Sequence, residues 1–158
     1  MRERDRRSRP RRTTTLRVIE DFDAPVERVF ALIVSEAGFL DAMPAGVRVL
    51  DWPTPFGEGG VMNLRWGVAG FFPVRWRAVV DAYEEGRSFS DLQVNGPLRY
   101  WRHTHRVEPH GAGTRHIDVV EFATGLGPAG DLALAVALRG AFGPRLRRMR
   151  TTLEDHRP

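Results

Sequence analysis

Histidine and carboxylate side chains in the C-terminal half of the sequence are the groups best suited to chemistry. His103 and His105 share one face of a predicted strand, because side chains along a strand alternate with a period of two. If Gly111–Ala112 form a two-residue hairpin turn, His105 lies opposite Asp118 on the following strand. A histidine beside an orienting carboxylate has the arrangement of a general base. His105 and Asp118 are therefore the catalytic candidates if the protein is an enzyme.

The same hairpin register predicts which other residues oppose one another along the two strands. The further pairs are His103 with Val120, Trp101 with Phe122, and Arg102 with Glu121. The first two pairs share the face of His105, and the third is an ion pair on the opposite face. A loop one residue longer or shorter would exchange the two faces. Asp91 and Gln93, from the preceding strand, are expected to add polar groups to the same site.

The residue types in this cluster also occur in metal centres. His103, His105 and Asp118 offer donor atoms that zinc or iron would accept. His110 and His116 are predicted to lie in the turn and on the opposite strand face. Because two histidines on one strand face arise easily by chance, we expect no bound metal and no cofactor. The simpler interpretation is a hydrogen-bonded polar cluster that orients a ligand in a pocket.

A glycine pattern between the last strand and the last helix resembles a dinucleotide-binding fingerprint. Residues 125–130 read Gly-Leu-Gly-Pro-Ala-Gly, which matches G-x-G-x-x-G. No parallel strand follows the predicted helix, so the βαβ unit that such a site needs is missing. The glycines are expected to let the chain turn from sheet to helix.

A long amphipathic helix, predicted from Pro128 to His156, is the element that must cover this cluster. Its apolar residues recur at helical spacing on one face, and its arginines, Arg145 among them, fall mostly elsewhere. Pro144 removes one backbone hydrogen bond, which predicts a two-part helix bent around Gly140–Pro144. The predicted apolar stripe comprises Leu134, Leu138, Phe142, Leu146, Met149 and Leu153.

The preceding sequence predicts a strand, two helices and then six strands. Thr14 to Phe22 is rich in β-branched residues, Pro25 suits the start of a helix, and Ser35 suits the N-cap of a second. Short hairpin connections make the later strands antiparallel. They are predicted at Val47–Trp52, Val61–Trp66, Phe72–Val80, Ser88–Val94, Leu98–Glu108 and Thr114–Thr124. The order β-α-α-β6-α predicts an α+β fold, a curved antiparallel sheet wrapped around the C-terminal helix.

Composition and charge indicate one domain with a short extension. The 158 residues include 42% apolar and 28% charged residues, an ordinary balance for a folded domain. Residues 1–12 hold seven arginines against two acids and are interpreted as a disordered Arg-rich tail, followed by a single domain at 13–158. With no cysteine, disulfides and thiolate chemistry are excluded. No secretory signal or membrane span is predicted, so we expect a cytoplasmic protein.

Two motifs resemble the SRPBCC superfamily, the START-like or Bet v 1-like helix-grip proteins. The first is Phe-x-Ala-Pro-x-Glu-x-Val-Phe at residues 22–30. The second, between Phe89 and His105, resembles a bacterial ligand-binding or cyclase/dehydrase-like branch, and Asp118-x-Val120-x-Phe122 continues the likeness. The resemblance implies an apolar cavity between sheet and helix. It also implies a function in binding lipids or polyketides, or in their cyclisation and dehydration.

The sequence therefore predicts a protein that binds a small hydrophobic molecule, lipid- or polyketide-like, between the sheet and the C-terminal helix. One alternative is a cofactor-free polyketide-type cyclase/dehydratase in which His105 and Asp118 move protons. Another is an interaction protein whose Arg-rich tail contacts nucleic acid or anionic membrane. The predicted ligand-binding residues are Trp66, Phe72, Val74, Trp76, Phe89, Asp91, Gln93, Trp101, His103, His105, Asp118, Val120, Phe122, Leu134 and Phe142.

Overall fold

A computed structural model of the chain describes residues 9–43, 46–68 and 72–155. Within these ranges, four side chains are outside the description: Trp66, Val68, Phe72 and Pro73. The predicted ligand-lining side chains of Trp66 and Phe72 therefore lie outside the described residues, as do residues 1–8 of the predicted tail.

Seven strands and three helices follow one another in the predicted order. The elements are β1 (Thr14–Phe22), α1 (Val26–Val34), α2 (Glu36–Ala42), β2 (Arg48–Asp51), β3 (Val61–Val68), β4 (Phe72–Glu84), β5 (Ser88–Asn95), β6 (Tyr100–His110), β7 (Gly113–Ala123) and α3 (Gly127–Asp155). The strands form one antiparallel sheet in the order β1-β7-β6-β5-β4-β3-β2. This confirms the predicted α+β helix-grip fold, in which the sheet packs against a long C-terminal helix.

Local sequence signals explain two of the element boundaries. The Ser35 hydroxyl accepts a hydrogen bond from the Gly38 backbone N–H at 3.0 Å, which confirms Ser35 as the N-cap of α2. Gly125 and Gly127 have φ angles of 86° and 77°, a left-handed conformation that favours glycine. These two residues turn the chain from β7 into α3, as the sequence predicted.

The C-terminal helix has the predicted length but is more continuous than its sequence predicts. It runs uninterrupted from Gly127 to Asp155 and passes through Pro144, so the predicted division into two parts is wrong. Phe142 and Leu146, on either side of the proline, are both buried in the interior. Packing on both flanks holds the helical conformation where the proline alone would disfavour it. Among the described residues, no helix is long and apolar enough to cross a membrane.

Two apolar clusters pack between the sheet and the helices. One joins α1, α2 and the second half of α3 to the sheet and includes Met149 and Val80. The other packs the first half of α3 on β1 and β7 and includes Phe122 and Phe142. Polar side chains from β5, β6, β7 and α3 lie where the two clusters meet, and these side chains form the candidate site.

Candidate functional site

The β6–β7 hairpin brings the predicted polar residues together in the predicted register. His105 is the strand partner of Asp118, His103 of Val120, and Trp101 of Phe122. On the other side of β6, His103 pairs with Asp91 of β5. The inner face of the sheet therefore collects a polar cluster, which we call the His–Asp cluster: Asp91, His103, His105, His116, Asp118 and Arg145.

Asp118 is the centre of this cluster and is only 1% exposed. The Nε2–H of His103 donates a hydrogen bond to Asp118 Oδ1 at 2.7 Å. The Nδ1 of His105 lies 2.9 Å from the same oxygen. Asp118 Oδ1 thus holds two imidazoles, those of His103 and His105.

Arg145 of α3 supplies the positive charge that a buried carboxylate requires. Its guanidinium donates to Asp118 Oδ2 at 3.0 Å, and its side chain is 11% exposed. Arg145 was predicted to lie away from the apolar stripe, which is wrong. Arg145 follows Phe142 by three residues and precedes Met149 by four, a spacing that puts all three on one helical face. That spacing was the signal that could have identified it.

His116 also belongs to the cluster, although the sequence analysis placed it on the opposite face. It lies two positions before Asp118 in the same strand, and the strand period of two therefore puts both side chains on the inner face. His116 is 1% exposed, and its Nδ1 lies 3.5 Å from Asp118 Oδ2. Neither of its ring nitrogens has a hydrogen-bond partner among the described residues. His110, by contrast, is exposed at the end of β6.

Charges inside the cluster are set by burial and by close neighbours. Burial by itself would raise the pKa of Asp118. The guanidinium of Arg145, the imidazoles of His116 and His105, and the His103 hydrogen bond instead hold that pKa well below its usual range. Burial and the nearby His103 lower the pKa of His105 well below its usual value. Asp118 is therefore ionised and His105 neutral at physiological pH.

Burial is also the main cause of the pKa shifts of Asp91 and His116. Burial raises the pKa of Asp91 to about 6, against the lowering effect of His103. Burial lowers the pKa of His116 to about 4. The carboxylate of Asp91 lies 3.9 Å from His105 Nε2, on the side of the ring away from Asp118. Asp91 is thus the acid in the cluster that titrates near neutral pH.

Two predicted polar contacts are made differently. Gln93 is buried, but its amide donates to the Leu98 carbonyl at 2.7 Å across the β5–β6 connection. Arg102 has Glu121 as its strand partner, yet its guanidinium binds Asp81 at 2.8 Å. Glu121 pairs instead with Arg9. The register is confirmed, and the predicted Arg102–Glu121 ion pair is wrong because Asp81 lies within reach across β5.

Aromatic side chains surround the His–Asp cluster. Phe89 stacks on His105 with ring centroids 4.4 Å apart. Trp101 packs edge-on against Trp76 at 5.3 Å and against His103 at 6.0 Å. Phe142 of α3 meets the His103 ring edge-on at 6.1 Å. Of the other predicted lining residues, Val120 and Phe122 are fully buried, whereas Val74 and Leu134 are partly buried.

Exposure increases along the inner face toward one end. On β6, Val107 and His105 are buried at 2% and 6% exposure, whereas His103 and Trp101 are partly exposed. On β4, Val80 and Ala78 are buried, and the preceding inner-face residues Trp76 and Val74 are partly exposed. The partly exposed Leu134 and Leu138 of α3 pack beside Trp101. We call this group of partly exposed apolar residues the aromatic end: Val74, Trp76, Trp101, Leu134 and Leu138.

The arrangement supports recognition more directly than proton transfer. A general base works best when its pKa lies near the working pH, and His105 is shifted away from it. The neutral imidazoles of His105 and His116 and an ionised, fully buried Asp118 instead present fixed hydrogen-bonding groups. Two overlapping sets also carry metal-ligand donors within 4.8 Å of one another: Asp91, His103 and His105, and His105, His116 and Asp118.

An antiparallel sheet gripping a long helix, with polar groups on its inner face, defines the Bet v 1-like class of proteins. Residues 13–154 match the family described as polyketide cyclase / dehydrase and lipid transport. The chain belongs to this family, which is part of the SRPBCC superfamily. Among curated proteins, no match was found.

Solved structures share the fold at low sequence identity. Ara h 8.0201 superposes with a TM-score of 0.70 at 16% identity, covering 92% of this chain and 100% of that one. A Rhodobacter sphaeroides protein gives 0.73 at 20% identity, with 92% and 95% covered. The ZhuI aromatase/cyclase from Streptomyces sp. R1128 gives 0.70 at 17% identity, with 90% and 94% covered. These likenesses establish the fold.

Proposed function

We propose that this protein binds a small, largely apolar molecule between the inner face of the sheet and α3. The observation that carries the proposal is the gradient of exposure toward the aromatic end. Large apolar side chains on a concave inner face retain accessible surface there, whereas in a filled core they would be buried. A ligand that covers them would gain about 25 cal/mol for each Å² of apolar surface removed from water.

The His–Asp cluster gives such a ligand its orientation. His103 is its most accessible imidazole, with a side chain 13% exposed beside Trp101. The Asp91 side chain is similarly accessible at 12%, whereas Asp118 is almost completely enclosed. A polar group on the ligand would therefore meet His103 and Asp91 first. Asp118, held by Arg145, supports these groups from behind and fixes the His103 ring by a hydrogen bond.

The alternative function is a cofactor-free cyclase/dehydratase acting on a polyketide-like chain. The family description and the contact between His105 and Asp118 favour it. In that function the aromatic end would fold the chain, and a group in the cluster would move protons between carbon and oxygen atoms. Asp91 is better matched to this role than His105, because its pKa of about 6 is closer to neutral pH.

One pair of variants separates binding from catalysis. His103→Gln and Asp91→Asn keep hydrogen-bonding groups but lose the ability to exchange protons. For a binding protein, each should weaken the affinity for an uncharged polyketide-like ligand modestly, by about 1–2 kcal/mol. For a cyclase/dehydratase, the variant in the general acid–base residue should lower turnover by about 10²–10⁴-fold while the substrate still binds.

Binding and product formation should be measured on the same candidate ligand, with His110→Gln as the control. His110 is an exposed histidine at the end of β6, outside the cluster. If the protein only binds its ligand, the wild type should form no product. His103→Gln should bind the ligand more weakly than the wild type, whether or not Asp91→Asn does so too. Equal affinity in all four proteins would show that the His–Asp cluster does not contact the ligand.

A further inference from the structure

Both ring nitrogens of His116 are buried and lack partners. Neither Nδ1 nor Nε2 has a hydrogen bond within the described part of the chain. Buried side-chain nitrogens in folded proteins nearly always have a partner. Because His116 is 1% exposed, bulk water does not provide one. A bound ion would give this imidazole the partner that the described residues do not supply.

Ring nitrogens of His105 and His116 lie close to Asp118. His105, His116 and Asp118 each offer one ligand atom, and these atoms lie within 4.8 Å of one another. His105 Nδ1 is 2.9 Å from Asp118 Oδ1, and His116 Nδ1 is 3.5 Å from the other carboxylate oxygen, Oδ2. Ligand atoms of a tetrahedral zinc ion, bonded at roughly 2.0–2.1 Å, lie about 3.3 Å apart. The two imidazoles thus approach opposite oxygens of one carboxylate at separations close to that value.

We infer that His105, His116 and Asp118 bind one divalent transition-metal ion of the zinc type. Two imidazoles and one carboxylate are a ligand set that zinc, cobalt and iron accept. Three protein ligands leave a fourth position for water or for an oxygen atom of a bound molecule. The expectation from the sequence was that no metal binds, because two histidines on one strand face arise easily by chance and His116 was placed on the opposite face. The inference does not depend on the proposed ligand-binding function.

Neighbouring residues support this set of ligands over the other one. With Nδ1 of His105 as the ligand atom, its Nε2 faces the Asp91 carboxylate at 3.9 Å, the side where metal-bound histidines commonly meet a carboxylate. The alternative set needs His103, whose Nε2 already donates to Asp118. Arg145 also binds Asp118 and partly neutralises its charge. We therefore expect weaker metal affinity than in structural zinc sites that have no adjacent cation.

Cobalt(II) alone is the probe that tests the site. The full-length protein, stripped with a chelator, is titrated with cobalt(II) and followed by visible absorption, which reports four-coordinate geometry. We expect one cobalt ion per chain, displaced by zinc. His116→Phe should weaken cobalt binding about 100-fold or more, since losses of outer-sphere partners alone cost 10–100-fold. His110→Gln, at the exposed histidine, should leave the affinity unchanged.

One further variant and one further measurement test which residues bind the metal. His103→Gln removes only an outer-sphere partner of Asp118, so it should weaken cobalt binding less than His116→Phe does; if it abolishes binding while His116→Phe does not, the proposed ligand set is wrong. Should His116→Phe fail to fold, zinc is added to the wild type, and the ring nitrogen resonances of His105 and His116 should shift while that of His110 does not. Absence of stoichiometric cobalt binding to the wild type would overturn the inference.

Discussion

At the scale of single residues, the buried carboxylate of Asp118 explains why Arg145 and His103 point into the interior. A carboxylate at 1% exposure is costly unless it is paired and hydrogen-bonded. Arg145 provides the pairing and His103 the hydrogen bond. Removing one partner of a buried ion pair typically costs about 3–5 kcal/mol, because the other charge is left without compensation. Arg145 and Asp118 are therefore expected to be needed for folding as well as for the site.

Asp91 is expected to behave differently, because its burial is poorly compensated. Its pKa rises from 3.8 unfolded to about 6 folded, so ionising it in the folded protein costs stability above pH 6. Asp91→Asn removes that cost. We predict that, with chelator present, this variant is more stable than the wild type by about 3 kcal/mol above about pH 7. The advantage should shrink as the pH falls through 6 and vanish below 3.8, where the wild-type carboxyl is protonated in both states.

Urea unfolding across this pH range measures the difference directly. The histidines titrate in both proteins, so their contributions cancel in the comparison. Asp155→Asn, at an exposed position near the end of α3, serves as the control and should show no comparable difference. If Asp91→Asn were less stable than the wild type at neutral pH, the ionised carboxylate would have to be stabilised by its surroundings.

The sequence allowed part of the His–Asp cluster to be predicted and missed the rest for identifiable reasons. His105 and Asp118 were paired correctly because a two-residue turn determines the register of a hairpin. His116 was missed by a misapplied strand period, and the information needed was present. Arg145 was missed although its spacing from Phe142 and Met149 places it on the inner face of the helix. Its partner could not be predicted locally, because the buried carboxylate of Asp118 lies on another element.

At the scale of elements, α3 shows tertiary packing overriding a local signal. Pro144 lacks a backbone N–H and leaves the carbonyl one turn earlier without its helical partner. The helix nevertheless continues from Gly127 to Asp155. Buried Phe142 and Leu146, together with the Arg145–Asp118 pair, fix both sides of the proline. The strands were predicted more closely, because alternation and turn residues are local properties.

Replacing the proline should therefore stabilise the protein. Pro144→Ala restores a hydrogen bond and relieves a clash worth about 3 kcal/mol, offset by up to about 1 kcal/mol of extra freedom in the unfolded chain. We predict a gain of about 1–3 kcal/mol in the free energy of unfolding, measured with urea. Gly140→Ala is a matched comparison, since a Cβ there meets no atom within 4 Å, and should gain about 1 kcal/mol. A loss of stability in Pro144→Ala would mean that the proline itself is required by its packing.

At the scale of the whole molecule, charge and apolar surface are separately distributed. The formal net charge of +4 arises from residues 1–12, whose seven arginines outnumber two acids by five. Arg9 is the part of this segment seen in contact with the domain, through Glu121. A surface ion pair of this kind contributes about 0–1 kcal/mol. The interior, in contrast, carries its charges in one cluster and its partly exposed apolar residues at one end.

The fold could be predicted from the sequence, whereas the ligand could not. Element order and hairpin register follow from local patterns along the chain. The aromatic end depends on how far α3 stands from β4 and β6, and this spacing is not encoded at any one residue. From the sequence, Trp76 and Trp101 are equally consistent with the hydrophobic core and with the wall of a ligand site, and only their partial exposure distinguishes the two.

Equilibrium titration with an apolar fluorescent probe, anilinonaphthalene sulfonate, tests the central claim most directly. Leu134 faces the sheet at the aromatic end, whereas Leu132, on the same helix, is 64% exposed to solvent. The account predicts saturable binding of one probe per chain, weakened about tenfold or more by Leu134→Gln, a loss of about 1.4 kcal/mol. Leu132→Gln should bind as the wild type does. Equal affinity in the two variants, or no saturable binding to the wild type, would contradict a ligand site between the sheet and the helix.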